Sequence, residues 1–300
     1  MTGSMAFVID MLVHATPLIL AGLAVAIAFR AGIWNIGADG QLVAGATAAA
    51  WVGISVSASI GWLALPLALI AGAIAGAFWA AIAAWLRSRF GVLEVISTIM
   101  LNFIATYGVS YLVRGPLQEP THVYPQTSDI AIGAHMPTLV DGTRLHWGFV
   151  IAIAMAVVTW WVMRYTVAGF RVRASGVNPF AARSAGLIDV PRVTMAAFIV
   201  SGAMAGLAGA IEVCGVTFAL YENISPGYGY TAIAVALLAG LNPLGVIGTG
   251  ILFGALETAA GTLQRNVGIP VTTASVIEAA IILVVIAIAQ IRQSRAASAA

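Results

Sequence analysis

The chain has 300 residues, of which 61% are hydrophobic and only 8% are charged. Soluble domains carry roughly 25% charged residues, so this composition, with a mean hydropathy of +1.01, excludes a soluble globular domain. Apolar stretches long enough to cross about 30 Å of hydrocarbon recur along the whole chain. The sequence therefore predicts a single all-α transmembrane domain over residues 1–300, built as a polytopic helical bundle.

The basic residues and the cysteine exclude several chemistries. All 13 basic residues are arginine, and lysine is absent. A phosphate-loop ATPase needs its lysine and a Schiff-base enzyme needs an amine nucleophile, so neither activity resides in this chain. The single cysteine, Cys214, lies in an apolar run, and the four histidines show no metal-ligand spacing. We therefore expect no enzymatic activity, no metal and no cofactor in this chain.

Hydrophobic periodicity predicts nine spans, within a range of eight to ten. The seventh is short enough to be a half-helix or re-entrant segment, which is tolerable at membrane depth only where it faces protein or a watery cavity. The polar segment RAGIWNIGADGQ, residues 30–41, precedes the second span, and Asp39 suits the N-cap of that helix. The expected spans are 5–29, 39–58, 61–86, 92–113, 147–165, 193–218, 231–241, 244–263 and 273–291.

Two long polar loops give the expected orientation. Residues 166–192 are rich in arginine and hold one acid, Asp189, which predicts a cytoplasmic loop. Nine alternating spans then put the N-terminus and the proline-rich loop 114–146 on the extracytoplasmic side. Only Arg114, Arg144 and Arg265 fall on that outer side, and the ten arginines that fall inside are Arg30, Arg87, Arg89, Arg164, Arg171, Arg173, Arg183, Arg192, Arg292 and Arg295.

The cytoplasmic loop also contains helix signals. Asn178 suits an N-cap, Pro179 suits the first helical position and Gly186 suits the position after a helix end, which predicts a two-turn helix over 179–185. So short a helix is marginal in water unless it packs on something. One interpretation is an ordinary basic connector between spans. The other is a knob that docks into a groove of a cytoplasmic partner, made of Phe180, Ala181, Ala182 and Arg183.

Polar residues within the predicted spans are candidates for a substrate path. Glu94, Thr98, Asn102 and Thr106 are spaced by four, so they form one stripe on the fourth span. Polar groups in hydrocarbon are costly and normally face the bundle interior or a wet cavity. Hydrogen bonding between helices, with Glu94 at the cytoplasmic interface, is the alternative. The further candidates are Asn35 and Gln41, which could equally be turn residues, and the buried carboxylates Glu212 and Glu257.

Small residues four positions apart predict close helix packing where lipid offers no hydrophobic drive. Such pairs indicate a tight bundle rather than a particular activity. They are Gly72 with Gly76, Gly202 with Gly206, and Gly250 with Gly254.

Five separated blocks of the sequence form a recognisable set. They are PLILAGLAVAIAFRAGIWNIGADGQL (17–42), LEVISTIMLNFIATY (93–107), FRVRASGVNPFAARSAGLIDVPRV (170–193), FIVSGAMAGLAGAIE (198–212) and GYGYTAIAVALLAGLNPLGVI (227–247). In the same order, these blocks closely resemble the permease subunits of bacterial ABC importers for nucleosides and simple sugars. These permeases belong to the larger family that includes the ribose and branched-chain amino acid systems.

The resemblance implies a multi-pass permease of the bacterial inner membrane, embedded in lipid, that forms half of a translocation path. A second, unlike permease would complete the path, cytoplasmic ATPase subunits would bind the ATP, and an extracytoplasmic protein would deliver substrate. The loop that contacts the ATPase would contain Gly176, Asn178, Ala181, Ala182 and Gly186. The NIGADGQ form resembles the nucleoside branch, with a sugar importer, an ion-coupled carrier or a membrane enzyme as alternatives.

Overall fold

The computed structural model describes residues 3–55, 61–184 and 188–267, together with Val276, Ala279, Ala280 and Val284. Every regular element within these residues is helical, which confirms the all-α prediction. The α-helices are α1 (Gly3–Arg30), α2 (Ala38–Ser55), α3 (Gly61–Phe90), α4 (Glu94–Arg114), α5 (Gly148–Tyr165), α6 (Val167–Val177), α7 (Pro179–Ser184), α8 (Val190–Glu212), α9 (Tyr228–Leu238) and α10 (Pro243–Val267).

Six helices in this part of the chain are long and apolar enough to cross a membrane: α1, α3, α4, α5, α8 and α10. Helix α2 begins with the polar sequence ADGQ, residues 38–41. Helix α9 has only 11 residues, so the prediction of a short seventh segment is confirmed. The expected last span, 273–291, falls almost entirely outside the described residues.

Helices α1 and α8 form the centre of the bundle. In the apolar 18-residue stretch of each of these two helices, 83% and 78% of the residues are buried, against 33% or less in the other four long helices. Glycines let the neighbours of α8 approach at backbone distance, since a Cβ added at Gly45 would lie 2.2 Å from the carbonyl oxygen of Gly206. A Cβ at Gly76 would lie 2.3 Å from the carbonyl oxygen of Gly202. The predicted small-residue pairs on α3 and α8 therefore form helix contacts.

The basic segment between α5 and α8 holds more helix than the sequence indicated. Thr166 caps α6 by accepting the Gly169 N–H at 3.1 Å, so a helix restarts directly after α5. Asn178 accepts the N–H groups of Phe180 and Ala181 at 3.1 and 3.0 Å, which confirms it as the N-cap of α7. Asp189 accepts the Arg192 N–H, so α8 begins at Val190 rather than at residue 193. The expected helix end at Ala185 and the following Gly186 lie outside the described residues.

Each end of α4 carries an ion pair that joins it to another segment of the chain. At one end Arg87 pairs with Glu94, the first residue of α4, at 2.5 Å. Arg114, the last residue of α4 and about 30 Å away by helical rise, pairs with Glu222 through bonds of 2.6 and 2.7 Å. The 115–147 loop packs at this second end, where Thr127 and Met136 donate to the carbonyls of Leu220 and Cys214.

Candidate functional site

Residues 30–41, here called the α1–α2 turn, connect the central helix α1 to α2 and organise the polar interior. Gly32 adopts a left-handed φ of 78°, which reverses the chain after α1. The Ile33 N–H bonds back to the Ala28 carbonyl at 3.0 Å, so the helix closes tightly. The rest of the turn then lies between α4, α8 and α9.

Asn35 and Gln41 form a reciprocal amide pair inside the bundle. Asn35 Nδ2 donates to Gln41 Oε1 at 2.9 Å, and Gln41 Nε2 donates to Asn35 Oδ1 at 3.0 Å. Asn35 also donates to the Ser201 hydroxyl at 2.8 Å, and Ser201 donates to the Ala24 carbonyl at 2.6 Å. Both amides are almost fully buried. These residues therefore hold the turn against α8 and α1, and their role in a substrate path stays a prediction.

Asn102 joins α4 to the turn and to α9. Its Oδ1 accepts the Gly40 N–H at 2.9 Å, while Nδ2 donates to the Ile36 carbonyl at 2.9 Å and to the Tyr230 hydroxyl oxygen at 3.0 Å. Thr98 and Thr106 bond back to carbonyls of their own helix. The predicted stripe thus faces the interior, and Asn102 and Glu94 are the members that bond across to other elements.

Glu94 lies at the arginine-rich end of the bundle. Besides its pair with Arg87, its Oε1 accepts the Trp34 N–H at 3.4 Å. The carboxylate therefore fixes the ends of α3 and the α1–α2 turn to the start of α4.

Asp39 caps a different helix from the one expected. The prediction that it caps α2 is wrong, because Asp39 is the second residue of that helix. Its Oδ1 instead accepts the Gly229 N–H at 3.0 Å and the Ser225 hydroxyl at 2.7 Å. Ser225 in turn accepts the Tyr228 N–H at 3.1 Å. The carboxylate therefore lies at the N-terminus of α9, where the helix dipole favours negative charge.

Arg30 lies at the other end of α9. Helix α9 ends with Gly240 and Leu241 in the left-handed region, and the Leu241 N–H bonds back to the Ala236 carbonyl at 2.9 Å, as in a Schellman termination. Arg30 Nε donates to the Leu241 carbonyl at 2.7 Å. A cation at a helix C-terminus is favourable, so the α1–α2 turn supplies a charge of the preferred sign to each end of α9. The sequence analysis missed Arg30, and no local pattern links it to a residue 211 positions away.

The predicted docking helix α7 is exposed. Phe180 is 78% exposed, and within the helix only Ala182 is buried. Gly176, at the end of α6 just before α7, packs on the bundle, where an added Cβ would lie 2.1 Å from the Arg30 carbonyl oxygen. A cavity of about 420 Å³ separates α7 from the bundle and is lined partly by Arg87, Arg183 and Phe198.

Glu212 ends α8 near the opposite face of the bundle. It is 7% exposed, and the charges that act on it are those of Arg144 and Glu257. Tyr228, whose hydroxyl lies 3.3 Å from His14 Nδ1, is a further neighbour in this electrostatic cluster. The structure therefore separates Glu212 from the group around Asn35 and Asn102.

A bundle of long apolar helices around a buried polar centre defines an integral membrane protein, and the exposed basic helix at one end suits a membrane transport subunit. The chain matches the family described as branched-chain amino acid transport system, permease component, over residues 7–286, and it belongs to that family. Members of this family are transport components rather than enzymes, and they work with ATPase and substrate-binding partners.

Relatives align over most of their own length. The chain is 40% identical to the glucose ABC transporter permease of Haloferax volcanii over 287 residues, which is 92% of this chain and 75% of the relative. It is 38% identical to the guanosine ABC transporter permease of Bacillus subtilis, over 94% of this chain and 82% of the relative. The nucleoside ABC transporter permease of Lactococcus lactis is 34% identical, over 89% of this chain and 75% of the relative.

Proposed function

We propose that this chain is the permease subunit of an ATP-driven nucleoside importer, forms half of its translocation path and receives force from a cytoplasmic ATPase through α7. The observation that carries the proposal is the placement of α7. It is exposed at the arginine-rich end, and it directly follows α6, whose Gly176 packs on the Arg30 carbonyl at the end of the central helix α1. The chain itself binds no ATP in this scheme and needs no cofactor.

The proposed contact with the ATPase is made by the last residues of α6 together with α7. The exposed Phe180 ring offers a large apolar surface to a groove, and the small alanines beside it have little side-chain entropy to lose on docking. Arg183 adds a positive charge for an acidic groove edge. The proposed contact residues are Gly176, Asn178, Pro179, Phe180, Ala181, Ala182, Arg183 and Gly186.

The proposed topology has nine spans, with the N-terminus and the 114–146 loop outside and the 166–192 loop inside. The separation of Arg87 and Arg183 from Arg114 at opposite ends of the bundle supports this orientation under the positive-inside rule. Helices α2, with 18 residues, and α9, with 11, are two further proposed spans, and the last proposed span, 273–291, falls almost entirely outside the described residues.

Nucleosides are the proposed substrates because two of the three relatives named above are permeases for guanosine and for nucleosides. A simple-sugar importer is the second candidate, favoured by the glucose permease at 40% identity. Both substrates are neutral polyols, which suits a centre of amides and hydroxyls. The residues proposed to line the path are Asn35, Gln41, Glu94, Thr98, Asn102 and Glu212.

The complete importer is proposed to contain a second, unlike permease, an ATPase pair and an extracytoplasmic binding protein, all within or against the lipid membrane. Selectivity among substrates would lie largely with that binding protein.

Replacing Phe180 tests the docking role. We expect Phe180→Ala to leave membrane insertion unchanged and to weaken ATPase binding about thirtyfold or more, measured as lower co-purification, since a buried aromatic anchor contributes roughly 2 kcal/mol or more at an interface. Phe90→Ala is the matched control, because Phe90 is 63% exposed at the end of α3 and lies outside the proposed contact. Equal ATPase recovery with both variants contradicts the assignment.

Gly186→Val should likewise insert normally but uncouple ATP hydrolysis from uptake.

A further inference from the structure

We propose that Arg30 is a positioning residue that passes the movement of the coupling segment, residues 176–184, to helix α9, so that α9 is the element displaced during transport. The inference rests on the proposed coupling role of α7 and adds the route by which its motion enters the bundle. The route has three contacts: Gly176 on the end of α1, Arg30 on the end of α9, and Asp39 on the start of α9.

Helix α9 is built to move as a unit. It has 11 residues, about 16 Å by helical rise, and the chain takes a left-handed conformation at both ends, at Gly227 (φ 100°) and at Gly240 (φ 60°). Such positions absorb changes in backbone direction with little strain when glycine occupies them. A short rigid helix between two glycine hinges can tilt without unfolding.

The coupling segment contacts the α1–α2 turn at backbone distance. A Cβ at Gly176 would lie 2.1 Å from the Arg30 carbonyl oxygen, and a Cβ at Gly32 would lie 3.3 Å from Gly176 Cα. Close-packed contacts of this kind have low compressibility and transmit displacement. Arg173, on α6, is also the neighbouring charge that acts on the Arg30 guanidinium. Movement of α6 and α7 therefore reaches Arg30 through both packing and electrostatics.

The Arg30 side chain transmits that displacement to the C-terminal end of α9. Helix α1 is the most buried long helix of the bundle, so it is held by its neighbours along most of its length. The Arg30 side chain, by contrast, is only partly buried and ends on the Leu241 carbonyl, at the hinge after α9. At the other end Gly229 packs on Asp39 so closely that an added Cβ would lie 2.1 Å from the Asp39 nitrogen. The α1–α2 turn therefore fixes one end of α9 and can shift the other.

The test uses proteoliposomes that contain this chain with its second permease, its ATPase and its binding protein, with labelled guanosine and labelled glucose as probes. We expect Arg30→Gln to retain the ATPase and to hydrolyse ATP, while uptake per ATP hydrolysed falls about tenfold or more, as for loss of a charged hydrogen bond. Arg30→Lys, which keeps the charge and one donor, should recover part of the uptake. Arg89→Gln, an exposed arginine at the same end of the bundle, is the control that should match wild type.

The outcomes separate the two proposals. Wild-type uptake per ATP in Arg30→Gln overturns the role of Arg30 and leaves the coupling role of α7 standing. If the unsubstituted chain never retains an ATPase, the proposed function itself fails.

A second measurement uses the unsubstituted complex and tests the proposed route even if Arg30→Gln fails to assemble. Amide hydrogen exchange is followed in the wild-type complex with and without ATP. We expect the peptides covering 28–34 and 236–242 to change protection together with the peptide covering 176–184. A change at 176–184 with no change at 236–242 overturns the proposed route.

Discussion

Asn102 carries three hydrogen bonds that join α4 to the α1–α2 turn and to α9. Asn102→Leu would leave the Gly40 N–H and the Ile36 carbonyl without partners, which costs about 1–3 kcal/mol for each buried group. We expect a fall in thermal stability of the purified chain as well as in uptake, with ATPase binding retained. Thr106→Val is the control from the same stripe, because Thr106 bonds only to the Asn102 carbonyl within α4. Equal stability of the two variants would contradict the bridging role.

His146 makes the stability of the 115–147 loop depend on pH. The ring is buried, and its Nδ1 accepts the Gly148 N–H at 3.1 Å. Burial, and then the charge of Arg144, lower the pKa of His146 from 6.5 to about 4. Between these two pH values the unfolded chain binds the proton and the folded chain does not. The contribution of the neutral His146 ring to the free energy of unfolding is therefore fully present above pH 6.5 and is lost as the pH falls toward 4.

We therefore expect acidification from pH 7 to pH 5 to lower the free energy of unfolding of this region by about 2 kcal/mol. His146→Gln, whose amide oxygen can accept the same N–H, should remove that part of the pH dependence, whereas the exposed His122→Gln should keep it. Thermal melts at both pH values, or hydrogen exchange of residues 135–150, would measure the difference. An unchanged slope in His146→Gln would show that another group titrates.

The sequence predicted the burial of individual polar residues better than it predicted their hydrogen-bond partners. Asn35, Gln41 and Asn102 stood out because amides are costly in hydrocarbon, and all three are buried. Their partners lie across the bundle, at Ser201 and Gly40 for example, which no local spacing reveals. Asp39 was misassigned for the same reason, since its local sequence suits a cap of α2 while the fold places it against α9.

Among the helices, α8 packs on α3 at backbone distance through Gly206. A Cβ at Gly206 would lie 2.3 Å from the Gly72 carbonyl oxygen and 2.8 Å from Gly76 Cα. Gly206→Ala should therefore separate α3 from α8 and cost about 1–3 kcal/mol or more. Gly108→Ala should be neutral or stabilise by up to about 1 kcal/mol, because Gly108 of α4 has nothing within 4 Å of an added Cβ. Thermal unfolding in detergent compares the two, and similar melting temperatures would argue against close packing at α3 and α8.

The long apolar helices were predictable from hydrophobic periodicity, but α6 was not. Its sequence, VAGFRVRASGV, mixes glycine, serine and arginine and was interpreted as a loop. The helix forms because Thr166 caps it and because Gly169 lets it pack on the end of α5, where an added Cβ would lie 2.2 Å from the Val162 carbonyl oxygen. The charges at the two ends of α9 come from Arg30 and Asp39, about 200 residues earlier, so only the fold reveals that arrangement.

For the molecule as a whole, the two ends of the bundle differ in structure. The arginine-rich end carries the exposed helix α7, which suits contact with a cytoplasmic motor. At the other end the 115–147 loop is joined to the segment after α8 by backbone bonds such as Thr127 N–H to Leu220 C=O at 2.8 Å. Arg114 and Glu222 lock α4 to the same segment, and the pKa of Glu222 is lowered to about 2 by hydrogen bonds from Arg114 and Ser110. This pair therefore stays charged throughout the physiological pH range.

The choice of substrate is a property of the assembled importer, and an uptake assay with competing unlabelled substrates measures it. In proteoliposomes with all partners and internal ATP, labelled guanosine should accumulate, and excess unlabelled guanosine should suppress that signal while excess glucose should not. The physical reason is that a nucleoside adds an aromatic base to the polyol, so a matched delivery protein gains stacking and apolar area that a sugar cannot supply. An ATPase without hydrolytic activity is the control and should abolish accumulation of either label. Uptake of glucose that guanosine does not inhibit would assign the importer to simple sugars, with the coupling through α7 unchanged.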